Sequence, residues 1–373
     1  MRIGLLSYPL NNNYGCYLQA YALKSVLESW GHHVTYIHRR HTIDFSIIYK
    51  LKYFVKNLLW SISHLRRFPL FFTANTYESE YIIKKGYQMI PFFEMYMSPH
   101  TEPIYSTSKL KSNCENLYDA IIVGSDQVWR ADLLKDIEDY FLVFLESQST
   151  KRIAYAASFG SSDPKYSNEK KSICGKGYSR FDAVSVREED GISIIRDFGW
   201  DGPTPHHVLD PTFLLDRNQF DILLPKPKIT NNLFCYILDS TDNKDIYIKR
   251  VSDKLGLNVI NIIKDRTKDS FVFPSIETWL QGIRDSRFVI TDSFHGMVFC
   301  IIFNTPFVVI PNKARGASRF YSLLKKFGLE ERIVDENDVA LPTEIDIDWS
   351  DVNEKLMMEK EISLCFLRNA LEM

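Results

Sequence analysis

The segment Thr291-Asp292-Ser293-Phe294-His295-Gly296 lies between a β-branched apolar run and a second apolar stretch. That pattern reads as strand, tight turn, helix. Such a turn lifts side chains to the carboxyl edge of a sheet, beside a helix N-terminus whose free N–H groups favour anions. A histidine placed there, His295, can move a proton next to a bound phosphate or carboxylate. The same residues also fit a plain helix start capped by Asp292 or Ser293, with His295 filling space.

Other strand-like runs end in polar groups. Gly124-Ser125-Asp126-Gln127 follows one, Phe159-Gly160-Ser161-Ser162 a second, and Arg187-Glu188-Glu189-Asp190 a third. A guanidinium at Arg187 can hold a carboxylate or phosphate through two parallel hydrogen bonds, or pair locally with Glu188 or Glu189. Asp126 could act as a base, orient a substrate hydroxyl, or cap its own turn. Asn13-Tyr14-Gly15, with Gln19, closes the first strand's turn, where Gly15 allows close backbone approach. Lys313-Ala314-Arg315-Gly316-Ala317-Ser318-Arg319 packs three cations into one loop, which reads as an anion site or a solvated basic loop. The six cysteines form no CxxC pair, and His206-His207 lacks a partner at fixed spacing and reads as linker. No metal signature is found.

The elements that must position these groups alternate strand and helix, which points to an α/β fold with mainly parallel sheets. Residues 2–7 form the first strand, 11–15 a turn, 18–30 an amphipathic helix ending at Gly31, and 33–38 a second strand. The first turn lacks GxGxxG, which argues against a dinucleotide cofactor. Prolines and lysines between about 205 and 230 mark a junction, after which strand-like runs begin again at 233–238. The expected organisation is a first domain over 1–210, a second over 211–350, and a terminal helix over 351–373 that crosses back to the first. The two α/β domains would face each other across a cleft.

Composition is that of an ordinary globular enzyme: 373 residues, 45% hydrophobic, 25% charged and a formal net charge of −2, which gives no reason to expect nucleic acid. The opening MRIGLLSYPL reads as a strand rather than a signal peptide, and no apolar stretch approaches bilayer-spanning length. A cytoplasmic protein with buried free thiols is expected. Within 42–110 the pattern is less regular. Residues 45–77 carry five Lys/Arg, no acid and nine aromatics, which fits peripheral contact with an anionic membrane or an insertion packed on the first domain.

The ordered set NYGCYLQAYAL (13–23), YDAIIVGSDQVWR (118–130), RIAYAASFG (152–160), VSVREEDG (184–191), LDPTFLL (209–215), ITDSFHGMVFCIIFNTPF (290–307) and KARGASRF (313–320) resembles the polysaccharide pyruvyl transferase family. The resemblance implies a GT-B-like pair of Rossmann-like domains and transfer of a pyruvyl group from phosphoenolpyruvate. The acceptor would be two hydroxyls of a sugar, giving a pyruvate ketal on a lipid-linked or polymeric glycan of a bacterial capsule or exopolysaccharide. By motif it implies Arg187 in donor binding and His295 in the catalytic segment; the chemistry of the transfer then suggests His295 as acid/base with Asp126, and Ser293, Arg315 and Arg319 beside Arg187 toward the donor. Asn13, Tyr14, Gln19, Ser125 and Gln127 are then the acceptor candidates. Ser293 stands where some members carry arginine, so another cation must meet the donor. The chemistry requires no metal or organic cofactor. A nucleotide-sugar glycosyltransferase of similar architecture and a non-catalytic glycan-binding relative are the competing expectations.

Overall fold

The computed structural model describes residues 1–40, 85–265, 270–311, 316–337 and 347–372. The aromatic, basic segment 45–77 lies outside them. Six strands form a parallel sheet: β1 (Arg2–Leu6), β2 (His33–Tyr36), β3 (Ala120–Val123), β4 (Lys151–Ala157), β5 (Ala183–Val186) and β6 (His206–His207), in the order β2-β1-β3-β4-β5-β6. Four more form a second parallel sheet: β7 (Asn232–Tyr236), β8 (Asn258–Asn261), β9 (Phe288–Thr291) and β10 (Phe307–Val309), in the order β10-β9-β7-β8. Strands such as Ala120-Ile121-Ile122-Val123 and Phe288-Val289-Ile290-Thr291 are buried throughout. Continuous apolar runs are what a sheet covered on both faces demands. Strand order reverses between β1 and β3 in one sheet and between β7 and β9 in the other, and ligands of open α/β sheets bind outside such points.

Two local expectations are corrected. The first helix spans Tyr14–Ser29, because Asn13 is extended and its Oδ1 accepts from the Gly15 N–H at 3.0 Å. The turn expected over 11–15 is therefore a capped helix start. His206-His207 is not linker but the edge strand, with Ser185 opposite His206 and Val186 opposite His207.

One apolar core runs through both sheets, joining Leu18 and Leu23 of the first helix to Phe220, Trp279 and Phe299. Tyr14 stacks on Trp279 with ring centroids 5.0 Å apart, and its hydroxyl donates to the Pro274 carbonyl at 2.9 Å. The last helix, Trp349–Glu372, touches both halves. Its Ser363 hydroxyl accepts from the Leu209 N–H at 2.9 Å, Lys151 donates to the Leu371 carbonyl at 2.8 Å, and Glu359 pairs with Lys326 at 2.6 Å. Five cysteines are buried and free, and Cys365 is exposed. Among the described residues no helix is long and apolar enough to cross a membrane, and no group of His, Cys, Asp and Glu could hold a metal ion.

Candidate active site

The turn after β9 is built by its own side chains. Thr291 Oγ1 donates to the Tyr236 carbonyl at 2.8 Å and accepts from the Ser293 N–H at 3.0 Å. Ser293 is the N-cap of the next helix, Phe294–Phe303, its Oγ accepting from the Gly296 N–H at 3.3 Å. Asp292 turns the other way. It accepts from the backbone N–H of Leu238 at 2.5 Å and of Asp239 at 3.0 Å, and pairs with the buried Lys244 at 2.8 Å. His295 is thereby fixed in the first turn, pointing at the other half of the molecule.

The ring of His295 is gripped from two sides. Its Nε2 lies 3.4 Å from Asp210 Oδ2. Its opposite edge rests on Gly15, so closely that a Cβ built there would fall 2.5 Å from Cε1 and nearer still to Nδ1. The N-terminal turns of the first helix and of the His295 helix therefore meet at the two strand-order reversals. A second backbone approach lies nearby. Gly316, at φ +84°, packs against the Gly160 carbonyl where no side chain fits.

Across from His295, the end of β3 carries Asp126 in the left-handed region at φ +73°. Its carbonyl accepts from the Ser158 N–H at 3.1 Å, which ties β3 to the end of β4. There the register shifts between Ala154 and Ala157, and Ala156 is also left-handed. Strained backbone of this kind gathers at functional sites. The Asp126 carboxylate accepts from the Gln127 N–H at 2.9 Å and from the Cys16 thiol at 3.2 Å. Burial, and then the Asp126 charge, pushes the Cys16 thiol well up, so it stays protonated and donates.

Arg187 is wholly interior. Nε donates to Glu188 at 2.8 Å and Nη1 to Asp210 at 3.1 Å. Nη2, 3.7 Å from Asp126, has no hydrogen-bond partner among the described residues. The local pairing with Glu188 is thus real, yet it leaves one arm of the fork unused. Burial works against the Arg187 charge, but Glu188, Asp126 and Asp210 together raise its pKa. The guanidinium carbon lies 4.4 Å from the ring centroid of Phe294, and that of Arg319 lies 5.6 Å from the same ring. One aromatic side chain thus sits against both cations. Arg319 is buried with Nε unpartnered, and burial, aided by Arg187, pulls its pKa down to about 10.

Asp210 joins these groups. Oδ1 accepts from the Thr212 N–H at 3.0 Å and its hydroxyl at 2.8 Å, while Oδ2 faces Arg187, His295 and Ser125. Burial would raise the carboxyl, but His295, Arg187 and the Thr212 N–H outweigh it and hold the group well below the ordinary range.

The fold therefore brings Asp126, Arg187, His295 and Arg319 into one buried cluster. Asn13 and Gln127 are half-buried, with Gln127 accepting from Arg130 at 2.7 Å. Tyr14, Gln19 and Ser125 belong to the interior instead. Tyr14 packs on Trp279, Gln19 donates to Ser7 at 2.5 Å, and Ser125 donates to the Ala156 carbonyl at 2.9 Å. Arg315 lies outside the described residues. Sequence reasoning assigned no role to Asp210, Phe294 or Cys16, although all three fall in the quoted motifs. A cavity of 890 Å³ between β6 and the last helix has no guanidinium in its lining and lies apart from this cluster.

Two facing Rossmann-like sheets, with the candidate site at their carboxyl edges, define a GT-B-like architecture. A Listeria monocytogenes protein described as a UDP-N-acetylglucosamine 2-epimerase superposes with a TM-score of 0.51 at 9% identity, over 97% of this chain and 87% of that one. UDP-GlcNAc 2-epimerase of Neisseria meningitidis, bound to UDP-GlcNAc, gives 0.47 at 8% identity over 99% and 94%. An α-glucosyltransferase in complex with UDP and DNA gives 0.46 at 12% identity over 97% and 90%. No curated protein matches the sequence. The chain belongs to the polysaccharide pyruvyl transferase family, whose model matches residues 13–314.

Proposed function

We infer that the protein transfers the pyruvyl group of phosphoenolpyruvate to two hydroxyls of one sugar. The observation that carries this reading is the pair of unpartnered buried cationic nitrogens, Arg187 Nη2 and Arg319 Nε, on guanidiniums that both lie against Phe294, the residue before His295 at the start of its helix. An anionic donor would meet these groups, with Arg315 as a further candidate cation. In the reaction, a proton reaches the methylene carbon of phosphoenolpyruvate and leaves an oxocarbenium-like C2. One sugar hydroxyl adds to C2 and gives up its proton. The C2–O bond to phosphate then breaks, and the second hydroxyl closes the ketal while phosphate leaves with its proton. His295 serves as acid/base, Asp126 assists hydroxyl deprotonation, and Asn13 and Gln127 face the acceptor. The acceptor would be a lipid-linked or polymeric glycan for a bacterial capsule or exopolysaccharide. Residues 45–77 would bring the protein to the inner face of the membrane.

A nucleotide sugar suits the second sheet less well. The 420 Å³ cavity at its carboxyl edge is lined by Asp239, Asp335 and Glu336, with Lys244 already bound to Asp292. Three carboxylates oppose a diphosphate. Calorimetric titration of the purified protein with phosphoenolpyruvate, against a nucleotide-sugar panel, tests the reading. Saturable phosphoenolpyruvate binding, lost in Arg187→Ala, is expected. Binding of a nucleotide sugar in its place would overturn it.

A further inference from the structure

Asp210 and Gly15 hold His295 in one orientation, and that orientation distinguishes its two ring nitrogens. Asp210 has no exposed surface, and four donors from Arg187, Thr212 and Ser125, besides His295, approach its two oxygens, so it is an ionised carboxylate. Nε2 of His295 lies 3.4 Å from Oδ2. The contact lacks the alignment of a hydrogen bond, so its hold is electrostatic. A lone pair on Nε2 this close to a negative oxygen is repelled, whereas an N–H dipole there is attracted to it. Nε2 is also enclosed, so a substrate cannot reach it without breaking the contact. On the far edge the ring rests on Gly15, with Nδ1 the ring atom nearest it, at the N-terminus of the first helix. Among the described residues, the charged groups near the ring include Asp210 from the connector, Arg187 after β5, Asp126 beside Arg187 and, beyond Phe294, Arg319.

We propose that Asp210 is a positioning residue that fixes neutral His295 as its Nε2–H tautomer, and that Nδ1 is the nitrogen that exchanges protons with substrate. This rests on the acid/base role given to His295 above. Because Nε2–H stays turned to Asp210, the reacting proton arrives and leaves at Nδ1, and Asp210 itself is not protonated.

Long-range ¹H–¹⁵N correlation NMR of the full chain labelled at histidine reads the tautomer directly. His295→Gln identifies the resonance by its loss. The wild type should show His295 protonated at Nε2 when neutral. In Asp210→Asn the side-chain amide can donate to Nε2, so the signal should move toward the Nδ1–H form, with kcat for phosphoenolpyruvate-dependent phosphate release down at least about 100-fold. Neutral His295 protonated at Nδ1 in the wild type would overturn the proposal, and that measurement needs no folded Asp210 variant. The Nε2–H form in a protein that never turns over phosphoenolpyruvate would uphold the positioning role and overturn the pyruvyl-transfer reading. The Nδ1–H form with turnover intact would do the reverse.

Discussion

Replacing Gly15 by alanine adds one methyl group where the first helix meets the His295 ring. Built on the existing backbone, that carbon lies 2.5 Å from Cε1 and closer to two other ring atoms. Ordinary carbon contacts begin near about 3.5 Å, so ring and helix must separate by at least about 1 Å. The methyl cannot be accommodated by rotating a flexible chain end, because Asp210 stands behind the ring and His295 is in the first turn of its own helix. Overpacking of this kind costs about 1–3 kcal/mol, while the better helix propensity of alanine returns up to about 1 kcal/mol. The net change in stability is therefore small, about 0–2 kcal/mol. The catalytic consequence is larger, since a displacement of about 1 Å at a reacting group costs on the order of 100-fold in rate. Gly15→Ala should unfold within a few degrees of the wild type and release phosphate from phosphoenolpyruvate about 100-fold more slowly. Paired thermal unfolding and steady-state assays decide the matter. A kcat within about threefold of wild type would show that the contact does not set the position of the ring.

Phe294→Leu removes the ring that Arg187 and Arg319 share. A loss of roughly 0.5–2 kcal/mol in holding the cations should weaken phosphoenolpyruvate binding by about 2- to 30-fold in titration calorimetry. Lys244→Met strands the Asp292 carboxylate in the interior, which should cost about 3–5 kcal/mol in urea unfolding; recovery in Lys244→Met with Asp292→Asn, which removes the charge and keeps an acceptor for the backbone N–H groups of Leu238 and Asp239, would identify the stranded charge as the cause. Asp210 has a folded-state pKa below its unfolded value of about 4. Its contribution to stability is therefore complete above about pH 4 and lost as pH falls toward the folded value, so Asp210→Asn should show a shallower decline in stability below about pH 4. If both proteins lose stability in parallel there, the carboxylate is not ionised in the fold.

Strands such as Ala120–Val123 and Phe307–Val309 were legible as short apolar, β-branched runs, and the parallel α/β class followed from their alternation with helices. Arg187, Asp126 and His295 were legible as polar residues just past strand-like runs, and Arg319 as the last cation of the basic stretch 313–319. What failed was whatever depends on a distant partner. Tyr14 reads as a cleft residue until Trp279 and Pro274 arrive from the other half of the chain to cover it. Asp210 reads as a residue in a proline-rich connector, and its importance lies in meeting Arg187 and His295 at once. His206-His207 lacks the apolar signature of a strand because an edge strand two residues long needs none; pairing with β5 alone defines it. Asn13 sits in a run of asparagines whose turn character hides a helix cap until the backbone is seen.

The last helix has a consequence for how the chain is made. The first sheet is complete once β6 has been synthesised, but the backbone N–H of Leu209 and the side chain of Lys151 bond to Trp349–Glu372 among the described residues. A ribosome delivers the second sheet before that helix. During elongation the first half therefore waits with part of its surface uncovered, exposed to chaperones or to other nascent chains. Vectorial synthesis thus places the closing step of the first half after nearly all of the second has been made.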